Sequence, residues 1–475
     1  MKNAARAALA AAGLALLSGC ATAPPEPRGE ELRLLDRVTW GASPASARAF
    51  AAEGAARFLQ QQLNPATEDR LPAEVQTQID AMTISQRPMA ELATQLEQRR
   101  RDFRAITDGE ERKLAQQAYQ QELTRLGREA AARMLLRALY SPDQLREQMS
   151  WFWMNHFNVF QFKANLRALV ADYEERAIRP HALGRFRDLL GATARHPAML
   201  IYLDNARNAA NRLNENYARE LMELHTLGVD GGYTQADVQE LARILTGHSV
   251  SAGLGEFAFY PRRHDDGDKE LLGRRIKARG AAELEEALDL LARHPSTARF
   301  VSRKLALYLA QDEPPAALVE RMAQAFQASD GDIAAVLRTL FGSEFFSASL
   351  GKKFKDPVHY LVSALRLAYD ERPIADTAPL IGALARMGEP LYARPTPDGY
   401  PLERAAWASS GQLATRFEVA RAIAYAPGAF GGRNGWYRAA LEKTLGAATR
   451  AALEQAASPQ EWNMLLLSSP EFMHR

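Results

Sequence analysis

The 475-residue chain has a single cysteine, Cys20, so no disulfide can form within it and stability must come from burial. The chain also lacks an excess of either positive or negative charge. The formal net charge is +2, and without Lys2 and Arg6 the basic and acidic residues are equal in number. This balance shows no footprint for nucleic acid, so we expect no nucleic-acid partner.

Several familiar catalytic motifs are absent. The sequence has no Gly-Xaa-Ser-Xaa-Gly elbow, no His-Glu-Xaa-Xaa-His, no phosphate-binding loop with Lys-Ser or Lys-Thr, and no cysteine pair. Beyond the first twenty residues there is no apolar run long enough to span a membrane. Standard hydrolases, zinc proteases, nucleotide-binding proteins and pores are therefore disfavoured.

The N-terminus has the pattern of an export signal. Lys2 and Arg6 precede an apolar run over 7–17, which is too short for a spanning helix. The tetrapeptide Leu17-Ser18-Gly19-Cys20 resembles a bacterial lipobox, although a plain signal peptide with a chance cysteine would read similarly. The resemblance implies a signal peptide over 1–20, lipid on Cys20, membrane attachment through that lipid, and, because Ala21 follows, an outer-membrane location in the cell envelope.

The rest of the chain predicts an all-α fold with at most one short β-hairpin, near 255–261. A proline-rich flexible tether is expected over 21–33. N-terminal helices and a long helical arm follow over 34–133, a helical core that carries the site over 134–350, and a C-terminal helical region over 351–475. Ser43 and Pro44 predict a helix start, with the helix running to about Leu63.

The densest polar cluster is at 214–228. At 100° per residue, Asn216, Glu220 and Glu223 share one helical face. Paired carboxylates can hold a divalent metal or divide acid and base roles. The alternative is a solvated helix, since Arg219 lies four residues from both Glu215 and Glu223, at salt-bridge spacing.

Three histidines extend these alternatives. His225 falls on the edge of the apolar stripe, either as a core residue with a hydrogen-bonded ring or as part of the site. His156 lies among the aromatic residues of 151–157, which predict either a core helix or a binding pocket. His264 and Asp265 belong to a charged stretch at 262–269 that is either a solvated loop or half of a metal site.

These clusters contain motifs that identify a family. In order they are Arg37-Val38-Thr39-Trp40-Gly41, Trp153-Met154-Asn155-His156-Phe157, Arg179-Pro180-His181, Tyr202-Leu203-Asp204-Asn205, Asn214-Glu215-Asn216-Tyr217-Ala218-Arg219-Glu220, Glu223-Leu224-His225, Gly232-Tyr233-Thr234 and Pro397-Asp398-Gly399-Tyr400. The chain resembles the domain-of-unknown-function 1800 family over about 34–475. Met154 and His248 depart from the family pattern, which often has histidine and tryptophan there. The resemblance implies a bacterial exported protein, often encoded near a second secreted family, and it implies no particular activity.

Two hypotheses follow. The first is an envelope enzyme with catalytic Glu220, Glu223, His156, His225 and Arg219. In it a divalent metal is possible on Glu220, Glu223, His264 and Asp265, and the substrate is bound by Asn155, Trp153, Asn214, Asn216, Tyr217 and Lys269. The second is a non-catalytic helical adaptor for a secreted partner protein, in which the same polar residues form a buried network that holds the helices together.

Overall fold

The computed structural model describes residues 29–66, 68, 70–431 and 435–475, and of 435–437 the backbone alone. The predicted signal peptide with Cys20, and positions 21–28 of the predicted tether, lie outside the described residues. Within the described part of the chain there are 24 α-helices and two two-stranded antiparallel sheets, so the prediction of a predominantly helical fold is confirmed.

Five helices open the described chain, and the first begins inside the segment predicted as a tether. They are α1 (Gly29–Val38), α2 (Pro44–Glu53), α3 (Ala55–Leu63), α4 (Ala73–Asp80) and α5 (Thr83–Gln86). Ser43 caps α2 through a reciprocal capping box with Ser46, and Pro44 occupies the first helical position, as predicted. Gly54, at φ +80°, separates α2 from α3, so the single helix expected to Leu63 is two helices.

The two long helices expected near 88–136 are α6 (Met89–Ala105) and α7 (Gly109–Tyr140), which pack against each other as a helical arm. The ring centroids of Phe103 and Tyr119 lie 5.4 Å apart near the arm's turn. Beyond Tyr119 one face of α7 is buried, and its last turns enter the body of the protein.

The central helices are α8 (Gln144–His156), α9 (Leu166–Asp172), α10 (Phe186–Arg195), α11 (Pro197–Tyr202), α12 (Asn216–Glu223) and α13 (Gln235–Ile244). Every residue of α8 is buried, which confirms the interpretation of 151–156 as a core helix. Thr234 and Asp237 form the expected capping box at the start of α13.

Two hairpins follow, where at most one was expected. Strand β1 (His248–Val250) pairs with β2 (Phe257–Phe259), close to the predicted position, and β3 (Lys269–Leu271) pairs with β4 (Arg274–Ile276). The second hairpin turns at Leu272 and Gly273, with φ values of +51° and +73°. A leucine at the first position of such a turn lacks the Asn-Gly or Asp-Gly signal, so the sequence pattern did not reveal this hairpin.

The remaining helices are α14 (Ala282–Ala292), α15 (Pro295–Leu309), α16 (Ala316–Ala328), α17 (Ile333–Phe341), α18 (Glu344–Ser349), α19 (Pro357–Tyr369), α20 (Ala378–Arg386), α21 (Ser410–Ala424), α22 (Gly435–Glu442), α23 (Ala447–Glu454) and α24 (Pro459–Leu467). One apolar cluster joins residues from Leu32 to Met473. Among the described residues, the helices include none with the length and apolarity needed to cross a bilayer.

Candidate active site

The site is centred on helix α12. Tyr217, Leu221 and Met222 are buried and anchor the helix, which leaves Glu220 and Glu223 partly exposed on the opposite side. The pKa of Glu220 is raised, first by partial burial and then by the negative charge of Glu223. Within the described part of the chain the Glu220 carboxylate has no hydrogen bond or salt bridge. This carboxyl group therefore holds its proton more tightly than an ordinary glutamate.

Two tyrosines flank these carboxylates. The Tyr233 hydroxyl donates to Glu223 Oε2 over 3.4 Å. The Tyr202 hydroxyl donates to the backbone oxygen of Pro395 over 2.9 Å, and its pKa is raised by burial and by the charge of Glu220. Both hydroxyls are thus protonated neighbours of the carboxylate pair.

A third carboxylate comes from the loop at 394–400, which is fastened to the end of α8. Asn155 accepts from the Tyr400 amide (2.6 Å) and donates to the Tyr400 carbonyl (2.9 Å). Gly399 lies so close that an added Cβ would be 2.2 Å from the Asn155 carbonyl oxygen, and its φ is +77°. This clamp positions Asp398, whose charge contributes to the raised pKa of Glu220.

Helix α15 contributes a lysine to the same region. The Lys304 ammonium lies 5.5 Å from the Phe300 ring centroid and, among the described residues, has no hydrogen bond or salt bridge. Burial lowers the pKa of Lys304 to about 8, although the charges of Asp398 and Glu403 oppose the fall. At neutral pH this amine is much closer to losing its proton than an ordinary lysine.

His156 and His225 are both buried in the core, with their ring centroids 6.1 Å apart. His156 Nε2 is 3.1 Å from the His225 carbonyl oxygen, so Nε2 is the donor, and Nδ1 has no partner among the described residues. His225 is fully buried, and neither of its ring nitrogens has a hydrogen-bond partner in the described part of the chain. Burial, together with the charge of Lys304, lowers the pKa of His156 well below its ordinary value. The same two causes lower the pKa of His225 to about 3. Both rings are neutral at pH 7, and the expected hydrogen-bonded ring of His225 is not found.

The predicted metal set of Glu220, Glu223, His264 and Asp265 is corrected by the structure. His264 Nδ1 is 2.8 Å from the Thr246 carbonyl oxygen and Nε2 is 3.2 Å from Glu283 Oε2. In the chain as described, no three His, Cys, Asp or Glu side chains are placed to hold a metal ion together. The ring nitrogens of His264 are already engaged in a separate cluster.

Asp265 and Lys269 have partners of their own in that cluster. Arg243 donates to both oxygens of Asp265, at 2.9 and 3.1 Å. The Lys269 ammonium is 2.6 Å from Glu283, and both side chains are fully buried. Lys269 is therefore a structural ion pair, and its predicted role in substrate binding is corrected, as is the idea that 262–269 is a uniformly solvated loop.

The other predicted binding residues divide by burial. Trp153 and Tyr217 are core residues without access to a substrate, so their predicted role is corrected. Asn155 acts through the clamp on Tyr400. Asn214 and Asn216 lie at the start of α12, where Asn214 Oδ1 accepts from the Asn216 amide over 3.0 Å.

Arg219 forms only one of the two salt bridges that its spacing suggested among the described residues, the one with Glu215. It lies 3.2 Å from Glu215 and donates to Gln235 over 2.8 Å, and the described contacts include no salt bridge between Arg219 and Glu223. Its positive charge lowers the pKa of Glu220 and partly offsets the effect of Glu223. Arg219 is thus a neighbour of the site whose side chain is engaged elsewhere.

Sequence reasoning did not assign Asp398, Lys304, Tyr202 or Tyr233 to the site. Asp398 and the two tyrosines stand in the family motifs and could have been included on that ground. Lys304 sits beside apolar residues of α15 with no distinguishing pattern, so only its burial reveals it.

The family model described as "Protein of unknown function (DUF1800)" matches residues 33–474. Neither a curated protein nor a solved structure matches the chain.

Proposed function

The chain belongs to the DUF1800 family, and we propose that this member is a lipid-anchored enzyme of the bacterial cell envelope that works by general acid–base catalysis. Glu220 and Lys304 are its proton-transfer groups. The observation that carries the proposal is that burial displaces the pKa values of two groups that both feel the charge of Asp398 towards neutrality, upward at Glu220 and downward at Lys304. Such opposed displacements are typical of acid–base sites.

The chemistry of the pair follows from those directions. A carboxyl group with a raised pKa keeps its proton to higher pH than an ordinary glutamate, which suits a proton donor, and an amine with a pKa of about 8 is a base that is partly free near neutral pH. Asp398 supplies negative charge near both groups, and Glu223 supplies it near Glu220. Tyr202 and Tyr233 supply hydroxyl groups at the edge of the site.

The location rests on the N-terminal sequence. A basic start, a short apolar run and Leu17-Ser18-Gly19-Cys20 support export and lipid on Cys20, and Ala21 supports sorting to the outer membrane. The substrate would then be a component of the envelope or of the extracellular medium.

The adaptor hypothesis requires the same polar residues to stabilise the packing of the helices. Glu220 does the reverse, because it is repelled by Glu223 and Asp398 and gains no hydrogen bond among the described residues. Lys304 is likewise desolvated without a hydrogen-bonded partner. Arrangements that cost stability are common where a protein acts on something else, which favours the enzyme.

The first test measures the two pKa values in the full chain. Carbon-13 NMR of labelled glutamate carboxyls and lysine Cε atoms is followed with pH, and the two resonances are assigned with Glu220→Gln and Lys304→Arg. We expect Glu220 to titrate above the ordinary range of glutamate and Lys304 to titrate near pH 8. The exposed Lys352 is the reference lysine. Ordinary values at both sites would contradict the proposal.

The second test looks for products. The full chain is incubated separately with peptidoglycan sacculi and with outer-membrane vesicles, and soluble products are compared by liquid chromatography and mass spectrometry. We expect a product with the wild type and with Glu256→Gln, which changes an exposed carboxylate, and none with Glu220→Gln or Lys304→Met. A product that persists in both of the latter variants would exclude the assigned roles.

A further inference from the structure

A cleft of about 810 Å³ opens between the helical arm and the body, in a region that the proposed active site does not use. Its lining comes from α6 and α7 on one side and from 163–165, 201–207 and 249–254 on the other. Neither Glu220, Lys304 nor Asp398 lines it. Only Asp204 brings negative charge, against six basic residues: Arg100, Arg104, Arg112, Lys163, Arg207 and Arg263.

Half of these cations have protein partners. Lys163 is 2.8 Å from Asp204, Arg100 bonds Glu97, and Arg263 donates to the Ala206 carbonyl over 3.0 Å. Within the described residues, the side chains of Arg104, Arg112 and Arg207 have no hydrogen bond or salt bridge. The cleft therefore carries a net positive charge that the described protein does not neutralise.

Asn165 provides a second, independent observation. Its side chain is 4% exposed, it lines the cleft, and its Nδ2 has no hydrogen-bond partner among the described groups. A buried amide without a partner lowers the stability of the folded protein. An anionic oxygen in the cleft would accept that hydrogen bond.

The backbone around the cleft is also unusual. Ala164, Asp204 and Leu254 all line it with φ values of +50°, +62° and +63°. Non-glycine residues in this conformation store strain that the fold compensates elsewhere, and they cluster at ligand sites.

We infer that this cleft binds a ligand that carries phosphate groups. Five of its six cations are arginines, whose planar guanidinium groups bind phosphate in a bidentate manner. The volume falls in the range of small-molecule sites. Phe103 and Tyr119 add an aromatic wall on the arm, against which an organic part of the ligand would lie.

Isothermal titration calorimetry of the full chain at low salt tests the inference, with tripolyphosphate as the probe and citrate as the carboxylate comparison. We expect saturable binding of tripolyphosphate that weakens as salt is added. Either Arg104→Gln or Arg207→Gln should lower the affinity about tenfold, since a hydrogen bond to a charged group is lost. Arg101→Gln is the matched control, because Arg101 is exposed on the same helix as Arg104 and lies outside the cleft.

Asn165→Leu separates ligand binding from folding. It should lower the affinity for tripolyphosphate while the melting temperature stays equal or rises, because an unpaired buried amide is removed. Dihexanoyl phosphatidic acid, which is soluble, distinguishes the source of the phosphate. If it binds more tightly than tripolyphosphate and loses the same affinity in Arg207→Gln, the result supports the site and identifies a lipid headgroup as the source of the phosphate.

Three results would overturn the inference. They are the absence of saturable binding of either phosphate compound, an equal loss of affinity in Arg101→Gln and Arg104→Gln, and binding of citrate as tight as that of tripolyphosphate. The second would mean that general surface charge attracts the probe, and the third that the cleft does not select phosphate.

Discussion

Replacing Lys304 with methionine should make the protein more stable near neutral pH. The substitution keeps most of the apolar stem of the side chain but removes the ammonium group, which is desolvated, lies 5.5 Å from the Phe300 ring centroid and has no hydrogen-bonded partner among the described residues. Because burial lowers the pKa of Lys304 from 10.5 to about 8, the charged form is disfavoured in the folded protein.

The magnitude follows from the linkage between protonation and folding. A difference of about 2.5 pH units, at about 1.4 kcal/mol each, gives an upper limit of about 3.5 kcal/mol. Since the Lys304 side chain keeps some contact with solvent, screening reduces this, and we expect a gain of about 1–3 kcal/mol. For a lysine with a lowered pKa, the cost is fully present below pH 8 and disappears as the pH rises towards 10.5.

Urea unfolding followed by tryptophan fluorescence measures this effect. Wild type, Lys304→Met and the exposed control Lys352→Met are compared below pH 8, at pH 8 and above the ordinary pKa of 10.5. We expect Lys304→Met to be the most stable at the lowest pH and equal to wild type at the highest. A wild type that is more stable than Lys304→Met near neutral pH, or a difference that does not change with pH, would refute the reasoning.

Three further substitutions test other parts of the structure. Glu220→Gln should raise the free energy of unfolding by about 0.2–0.5 kcal/mol near pH 7, since like-charge repulsion is relieved. Because the pKa of Glu220 is raised, this gain should vanish below about pH 4, where the carboxyl is protonated in both the folded and the unfolded protein. Thermal melts at a series of pH values measure the effect. Gly399→Ala should lower the free energy of unfolding by at least about 2 kcal/mol, and with it the melting temperature, because Cβ would overlap the Asn155 carbonyl oxygen at a positive φ. An unchanged melting temperature would mean that the clamp is not needed. Glu283→Gln should cost about 3–5 kcal/mol in urea unfolding, because it removes the carboxylate 2.6 Å from the buried Lys269 ammonium and leaves Asp265, 3.7 Å away, as its charged partner. A cost below about 1 kcal/mol would contradict the buried ion pair.

The helices were largely predictable because their signals are local. The capping boxes at Ser43 and Thr234 satisfy amides within a few residues of each side chain, so neighbouring residues were enough to locate them. The periodicity of α12 likewise predicted that Glu220 and Glu223 share a face, and the mutual effect of their charges agrees with it. The hairpin at Leu272 was missed because its turn has no local signal.

The metal prediction failed for a different reason. His264 and Asp265 have the right chemistry for ligands, and the sequence pattern gave no indication that Glu283 and Arg243 already engage them. Tertiary packing decides which side chains contact His264 and Asp265, and the periodicity of the sequence carries no information about these long-range contacts.

The sequence alone therefore determined the family, the helical class, the main helix boundaries and the face on which the carboxylates stand, because these depend on residues close together in the chain. Only the tertiary structure decided that the charge of Asp398 reaches both Glu220 and Lys304, that His225 is a neutral core residue, and that six cations surround one cleft. Burial and long-range charge set these properties. Both arise only when distant segments pack together.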